Sequence, residues 1–238
     1  DDIDSESATE VWEAALAAAA VGLQVVHGVA GYDAGFMWID LVGVPPMVAA
    51  LRYGPRAGAR VLLAPVLWIL VMEPVGPMGA GFKASATLAA MVAASVASKR
   101  FAAGGAVVSV VLLAGGTSQL VAVAGRAAEV VGALALAAPA VAAAVVVISS
   151  LGRRPVSFSG AGVLLAAACA VTLRGSLMVV AALLFAFPVF FGVPPALALQ
   201  QKPPWSIFFW NGVQATIDVG LAALPALAWR AGRHDAAD

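Results

Sequence analysis

The chain has 238 residues, of which 62% are hydrophobic and 11% charged, against about 45–50% and about 25% in an ordinary soluble domain. With a mean hydropathy of +0.97, that excess is too large for a soluble core and points to an integral membrane protein. Its 13 Lys and Arg balance 13 Asp and Glu, so no global basic field exists to hold nucleic acid.

The single cysteine, Cys169, excludes a disulfide framework or a thiolate metal site, and His27 and His234 stand too far apart to suggest a metal. No phosphate-binding loop or dinucleotide fingerprint follows a predicted strand, so the chain carries no nucleotide engine of its own.

The acidic start, Asp1 to Glu6, reverses the basic start of a signal peptide, and it is expected to be solvated, like the polar tail Arg233 to Asp238. The runs that follow are continuous and rich in Ala, Val and Leu, unlike the alternating strands of a β-barrel. They predict helices near 11–30, 41–53, 59–73, 80–98, 102–124, 128–150, 158–187 and 205–229. The expected fold is therefore all-α, a polytopic transmembrane bundle of about eight segments forming one membrane domain. Its second and third segments are short, because Pro45-Pro46 and the turn Tyr53-Gly54-Pro55 break the run.

On the first helix, Ala14 with Ala18 and Ala15 with Ala19 repeat at four-residue spacing beside further alanines and Gly22. Such a surface lets another helix approach closely, which makes it the candidate partner interface.

Basic residues set the expected orientation. Arg52, Arg56 and Arg60, then Lys99 and Arg100, Arg153 and Arg154, and finally Arg230 and Arg233 occupy alternate connections. With the N-terminus inside, all of these are cytoplasmic, while Lys83, Arg126 and Lys202 lie near the outside, in accord with the positive-inside rule. The chain is expected in the cell membrane, crossing it several times, with both termini in the cytoplasm. Three external segments, Gly31–Asp40, Glu73–Gly81 and Phe191–Pro204, carry Gly, Pro and aromatic residues suited to a lid over an outward-facing pocket. Trp38 and Trp205 sit at interface depth, either as an aromatic belt or as ligand contacts. Glu73 and Lys83, flanking the second of these segments, read as a solvated pair.

Ionisable and amide groups at membrane depth are the functional candidates. Asn211, Gln214 and Asp218 share one face of the last helix by their offsets of three and seven residues. Asn211 and Gln214 offer both donors and acceptors for the edge of a heterocycle or sugar, or they hydrogen-bond a neighbouring helix. Asp218 lies deeper and reads as structural. Arg174, in mid-span, either pairs with Asp218 or reaches water near Gly175.

The order of motifs resembles a known family. Ile39-Asp40-Leu41-Val42-Gly43-Val44-Pro45-Pro46 followed by Tyr53-Gly54-Pro55-Arg56-Ala57-Gly58 is similar to the start of the membrane-embedded S components of energy-coupling-factor transporters, the riboflavin-type branch in particular. Met178 to Gly192 resembles that family's fifth helix and its external loop, and Phe209 to Asp218 the opening of its sixth. The resemblance covers roughly residues 11–100 and 158–230; residues 101–157 read as an inserted apolar hairpin.

It implies a six-helix core that captures a small vitamin from outside, riboflavin first among the candidates. The core then docks on a transmembrane coupling subunit driven by two cytoplasmic ATPase subunits. Asp40, Asn211 and Gln214 would contact the ligand, with Trp38, Phe187 and Trp205 stacking on its ring. Two positions depart from the branch: Ala182 stands where an Asn is usual, and Gln214 where a Lys is frequent.

Two other classes compete. A stand-alone ion- or proton-coupled secondary transporter would use Arg174 and Asp218 as its coupling pair, but broken helices occur in one half of the chain and no repeat is evident. An integral enzyme would need clustered His, Asp or Glu near the interface, and neither His has acidic neighbours on a shared face within a turn. The chain is accordingly read as non-enzymatic, with no cofactor or metal.

Overall fold

The computed structural model describes residues 2–33, 37–74, 76–99, 160–201 and 204–234. They form α1 (Asp2–Ala30), a hairpin of β1 (Tyr32–Asp33) and β2 (Trp38–Ile39), α2 (Val44–Tyr53), α3 (Pro55–Met72) and α4 (Gly76–Lys99). After residues 100–159 come α5 (Gly160–Ala181), a π-helical continuation (Ala182–Phe190), α6 (Pro195–Gln201) and α7 (Pro204–His234). The expected helices at 102–124 and 128–150, and with them the proposed hairpin 101–157, lie outside the described residues.

The described residues are almost entirely helical, and among them four helices are long and apolar enough to cross a membrane: Ala8–His27, Pro55–Met72, Gly162–Phe190 and Ser206–Pro225. In lipid a helix satisfies its own backbone, which is why such runs read so directly from hydropathy. Large apolar side chains stand exposed on their outer faces, among them Val11, Leu63, Val71, Leu164 and Leu224.

Boundaries differ from the sequence reading at the ends. The first helix begins at Asp2 rather than near residue 11, since acidic residues suit the positive end of a helix dipole. The segment Glu73–Gly81, expected to be an external loop, is mostly helix, because α4 already starts at Gly76. Within Phe191–Pro204 lies the short α6. The segment Gly31–Asp40 contains an antiparallel ladder, with Tyr32 opposite Ile39 and Asp33 opposite Trp38.

Local chemistry explains the sharp joints. Pro45 and Pro46 occupy the first turn of α2, where a missing N–H breaks no helical bond. Gly54, at φ +103°, separates α2 from α3 in a conformation that L side chains rarely adopt. Inside the π-helical stretch, Pro188 removes a donor from the ladder, and wide helical turns are a common response to such a break. Phe187 O then accepts from Phe191 N at 3.3 Å and Val193 N at 2.9 Å, closing the end.

Small residues bring the helices together. A Cβ on Gly58 would stand 2.6 Å from Ala50 Cβ and 2.9 Å from Met91 Sδ, so α2, α3 and α4 meet there. A Cβ on Gly175 would stand 2.7 Å from the Phe208 ring, where α5 meets α7. The main core joins Met47, Leu62, Met91, Leu173 and Val219 through many buried alanines, the close-packing style of membrane bundles. α1 packs on α3 through Leu16 and Ala17, whereas Ala14, Ala15, Ala18 and Ala19 are exposed.

Candidate functional site

At one end of the bundle a cavity of about 530 Å³ opens where α1, α3 and α5 finish and α4 and α7 begin. That is within the usual range for small-molecule sites, about 300–1,000 Å³. Trp38, Phe82, Phe187, Phe191 and Met178 supply apolar and aromatic walls. Polar groups enter from two sides: Asp40, Lys83, Arg174 and Asn211 from one set of elements, Gln24, His27 and Glu73 from another.

The first set is a continuous network. Lys83 Nζ donates to both oxygens of Asp40, at 2.7 and 2.8 Å. Asp40 Oδ1 also accepts from Val42 N at 2.9 Å, a local turn that fixes the carboxylate before α2. Gln214 then grips the Asp40 backbone, its Oε1 accepting from Asp40 N at 2.9 Å and its Nε2 donating to Asp40 O at 2.7 Å. The remaining Nε2 proton goes to Asp218 Oδ1 at 2.8 Å, and Asp218 Oδ2 accepts from Arg174 Nη1 at 2.8 Å. Arg174 Nε reaches Asn211 Oδ1 at 3.4 Å, while Asn211 Nδ2 donates to Ile207 O at 2.9 Å.

Two cations and two carboxylates thus neutralise each other within the bundle. Removed from water, a lone charge is costly; paired and hydrogen-bonded, it is tolerated. The side chains of Asp218 and Arg174 are 0% and 4% exposed. Gly43 completes the joint, since a Cβ there would overlap the Asp218 carboxylate.

These contacts redistribute the candidates. Asn211, Asp40, Trp38 and Phe187 line the cavity. Gln214 does not: it is 1% exposed and both its protons and its oxygen are engaged, so it fastens the hairpin loop to α7. Asp218 lies under the cavity as the counter-charge of Arg174. Trp205 stands in the first turn of α7, its side chain outside the described residues.

The reading of Glu73 and Lys83 as a solvated pair is corrected. Each has its partner elsewhere, because the two residues sit on different elements facing different neighbours. Lys83 is held by Asp40, and Glu73 Oε1 accepts from Gln24 Nε2 at 2.6 Å.

The second polar set escaped sequence reasoning. His27 Nδ1 donates to Gln24 O, stands 4.0 Å from Glu73, and meets the Trp38 ring edge-on at 5.9 Å between centroids. The available signal was Gln24 and His27 three residues apart at the end of a span, on one helical face.

No family model matches the chain, and no curated protein or solved structure is significantly similar to it. The cavity and its chemistry therefore carry the functional argument.

Proposed function

We propose that this chain is the membrane-embedded substrate-binding subunit of an energy-coupling-factor uptake transporter. In this role it takes riboflavin or a related small vitamin from outside the cell. The observation that carries the reading is the cavity of about 530 Å³, walled by aromatic side chains with polar groups at its edges. Its size and lining suit a planar, partly polar molecule.

The positive-inside distribution gives the cavity an outward mouth and both termini a cytoplasmic position. Arg52 and Arg60, at the opposite ends of α2 and α3 from the cavity, support that orientation. Lacking a nucleotide motif, the chain needs a transmembrane coupling subunit and two ATPase subunits to drive release. The exposed Ala14, Ala15, Ala18 and Ala19 surface is the proposed seat for the coupling subunit.

The buried Arg174–Asp218 pair supports a second reading, a stand-alone proton- or ion-coupled transporter, since intramembrane charges serve in such relays. Against it, both Asp218 oxygens are held inside the fold.

Mass and absorbance analysis of the molecule that co-purifies with the detergent-extracted protein tests the proposal. A flavin or another vitamin, with ATPase subunits recovered on mild extraction, is the expected result. Proton-driven uptake by vesicles containing this chain alone would overturn it in favour of the second reading.

A further inference from the structure

One wall of the cavity changes its residue spacing part-way along. Arg174, Met178, Ala182 and Ala186 line it at steps of four residues, and then Phe187 and Phe191 line it, five residues after Ala182 and Ala186. Steps of five belong to π-helical turns, and Ala182–Phe190 is π-helical. An α-helix repeats about every 3.6 residues, so after Ala182 and Ala186 the next residue on that wall would be Val189 rather than Phe187. In the structure Val189 is 59% exposed and does not line the cavity. Phe187 packs instead on the cluster of Met178, Val179 and Ile207. Phe191 stands beside it, with 6.0 Å between ring centroids and 45° between ring planes.

Two features hold this register. In an α-helix the ring of Pro188 would collide with the carbonyl four residues earlier, that of Leu184, and a wider turn relieves the collision. At the far end Phe187 O accepts from both Phe191 N and Val193 N, at 3.3 and 2.9 Å, which ties the backbone beneath the two rings.

We infer that Phe187 and Phe191 form an aromatic shelf for a planar ring, and that Pro188 is its positioning residue. Pro188 does not line the cavity; it acts by keeping the wide turns that put the two rings side by side. A planar ligand then stacks on the shelf through its face, the arrangement aromatic pairs prefer. This assignment rests on the proposed role of the cavity as a ligand site and deepens it, naming the wall that binds the ring.

The test uses the full chain in lipid nanodiscs, with Cys169→Ala removing the single native thiol and one cysteine returned at position 187, 189 or 191. A charged methanethiosulfonate reagent should modify Phe187→Cys and Phe191→Cys at least tenfold faster than Val189→Cys, because the thiolate is the reacting form and lipid suppresses it. Adding Pro188→Ala should reverse the ranking of 187 and 189. Riboflavin and quinoline, a bare planar ring, are then titrated against the chain without the introduced cysteines. Pro188→Ala should weaken both by about tenfold. Pro188→Ala with Val189→Phe should recover most of that loss, a rescue that general damage to the fold would not give. Phe187→Leu with Phe191→Leu keeps Pro188 and should weaken both probes as well, so the shelf is tested even if Pro188→Ala fails to fold. Equal modification at 187 and 189, or a ranking untouched by Pro188→Ala, would overturn the inference. Riboflavin affinity undiminished in Pro188→Ala or in the double Leu variant would overturn it while leaving the uptake proposal standing. Quinoline binding that follows the expected pattern with riboflavin silent would uphold the shelf and remove riboflavin as the ligand. Silence of both probes would overturn both readings.

Discussion

Gln214 on α7 holds Asp40 by both sides of its backbone, accepting from its N–H at 2.9 Å and donating to its C=O at 2.7 Å. One amide thereby pins the loop after β2 to a helix 174 residues away in sequence. The same loop carries the carboxylate that receives Lys83, so this joint sets the floor of the cavity.

Replacing Gln214 with Leu strands the Asp40 N–H and C=O in a buried site, at about 1–3 kcal/mol for each unsatisfied group. The expected result is a fall of several degrees in the thermal midpoint of the detergent-solubilised protein, together with weakened ligand binding. An unchanged midpoint would mean that the amide does not hold the loop.

Two glycines should respond in opposite directions. At Gly43 a Cβ would overlap the Asp218 carboxylate, whereas at Gly22 nothing lies within 4 Å. Gly43→Ala should destabilise by about 1–3 kcal/mol through overpacking. Gly22→Ala, in a helix interior, should be neutral or stabilise by about 0.5–1 kcal/mol. Thermal scans of the two variants side by side check the contrast.

Arg174 and Asp218 should behave as a unit. Arg174→Met or Asp218→Leu alone leaves an unmatched buried charge and should cost about 3–5 kcal/mol, while the double variant should recover much of that loss. The double variant also separates the two functional readings. Ligand binding that survives in it fits a structural pair, and loss of ion-driven uptake with binding intact would assign the pair to coupling.

Asn211 lines the cavity and is tied to its own helix by a bond to Ile207 O. Asn211→Ala should lower affinity for the co-purifying molecule by about five- to 150-fold, the equivalent of about 1–3 kcal/mol. Because Asn211 Oδ1 also accepts from the buried Arg174 Nε at 3.4 Å, the thermal midpoint of the ligand-free protein should fall as well. Calorimetric titration of the two forms decides it.

The α1 surface predicts a different phenotype. Ala15 and Ala19 are exposed and away from the cavity. Under the proposed docking of a coupling subunit on this surface, Ala15→Leu or Ala19→Leu is expected to abolish uptake in cells and recovery of the ATPase subunits while leaving ligand affinity unchanged. Reduced affinity in either variant would contradict this division of roles.

From the amino-acid order alone came the helical membrane character, the break at Pro45-Pro46 and Gly54, and the shared face of Asn211, Gln214 and Asp218. Each follows from a local rule: backbone groups in lipid must pair within their own helix, proline and glycine restrict or free single dihedrals, and a helix repeats every 3.6 residues. The residues 101–157 stay at the level of that sequence reading, outside the described structure.

Tertiary structure decided which polar groups meet. Lys83 finds Asp40, 43 residues away, and Glu73 finds Gln24, 49 residues away, although Glu73 and Lys83 are nearer each other in sequence. Gln214 turns from the cavity to the loop, and Asn211, three residues earlier on the same helix, keeps the cavity wall. Hydropathy encodes depth in the bilayer but not the rotation of each helix about its axis. That rotation is set by close contacts such as Gly58 on Ala50 and Gly175 on Phe208, and it chooses the partner of every buried charge.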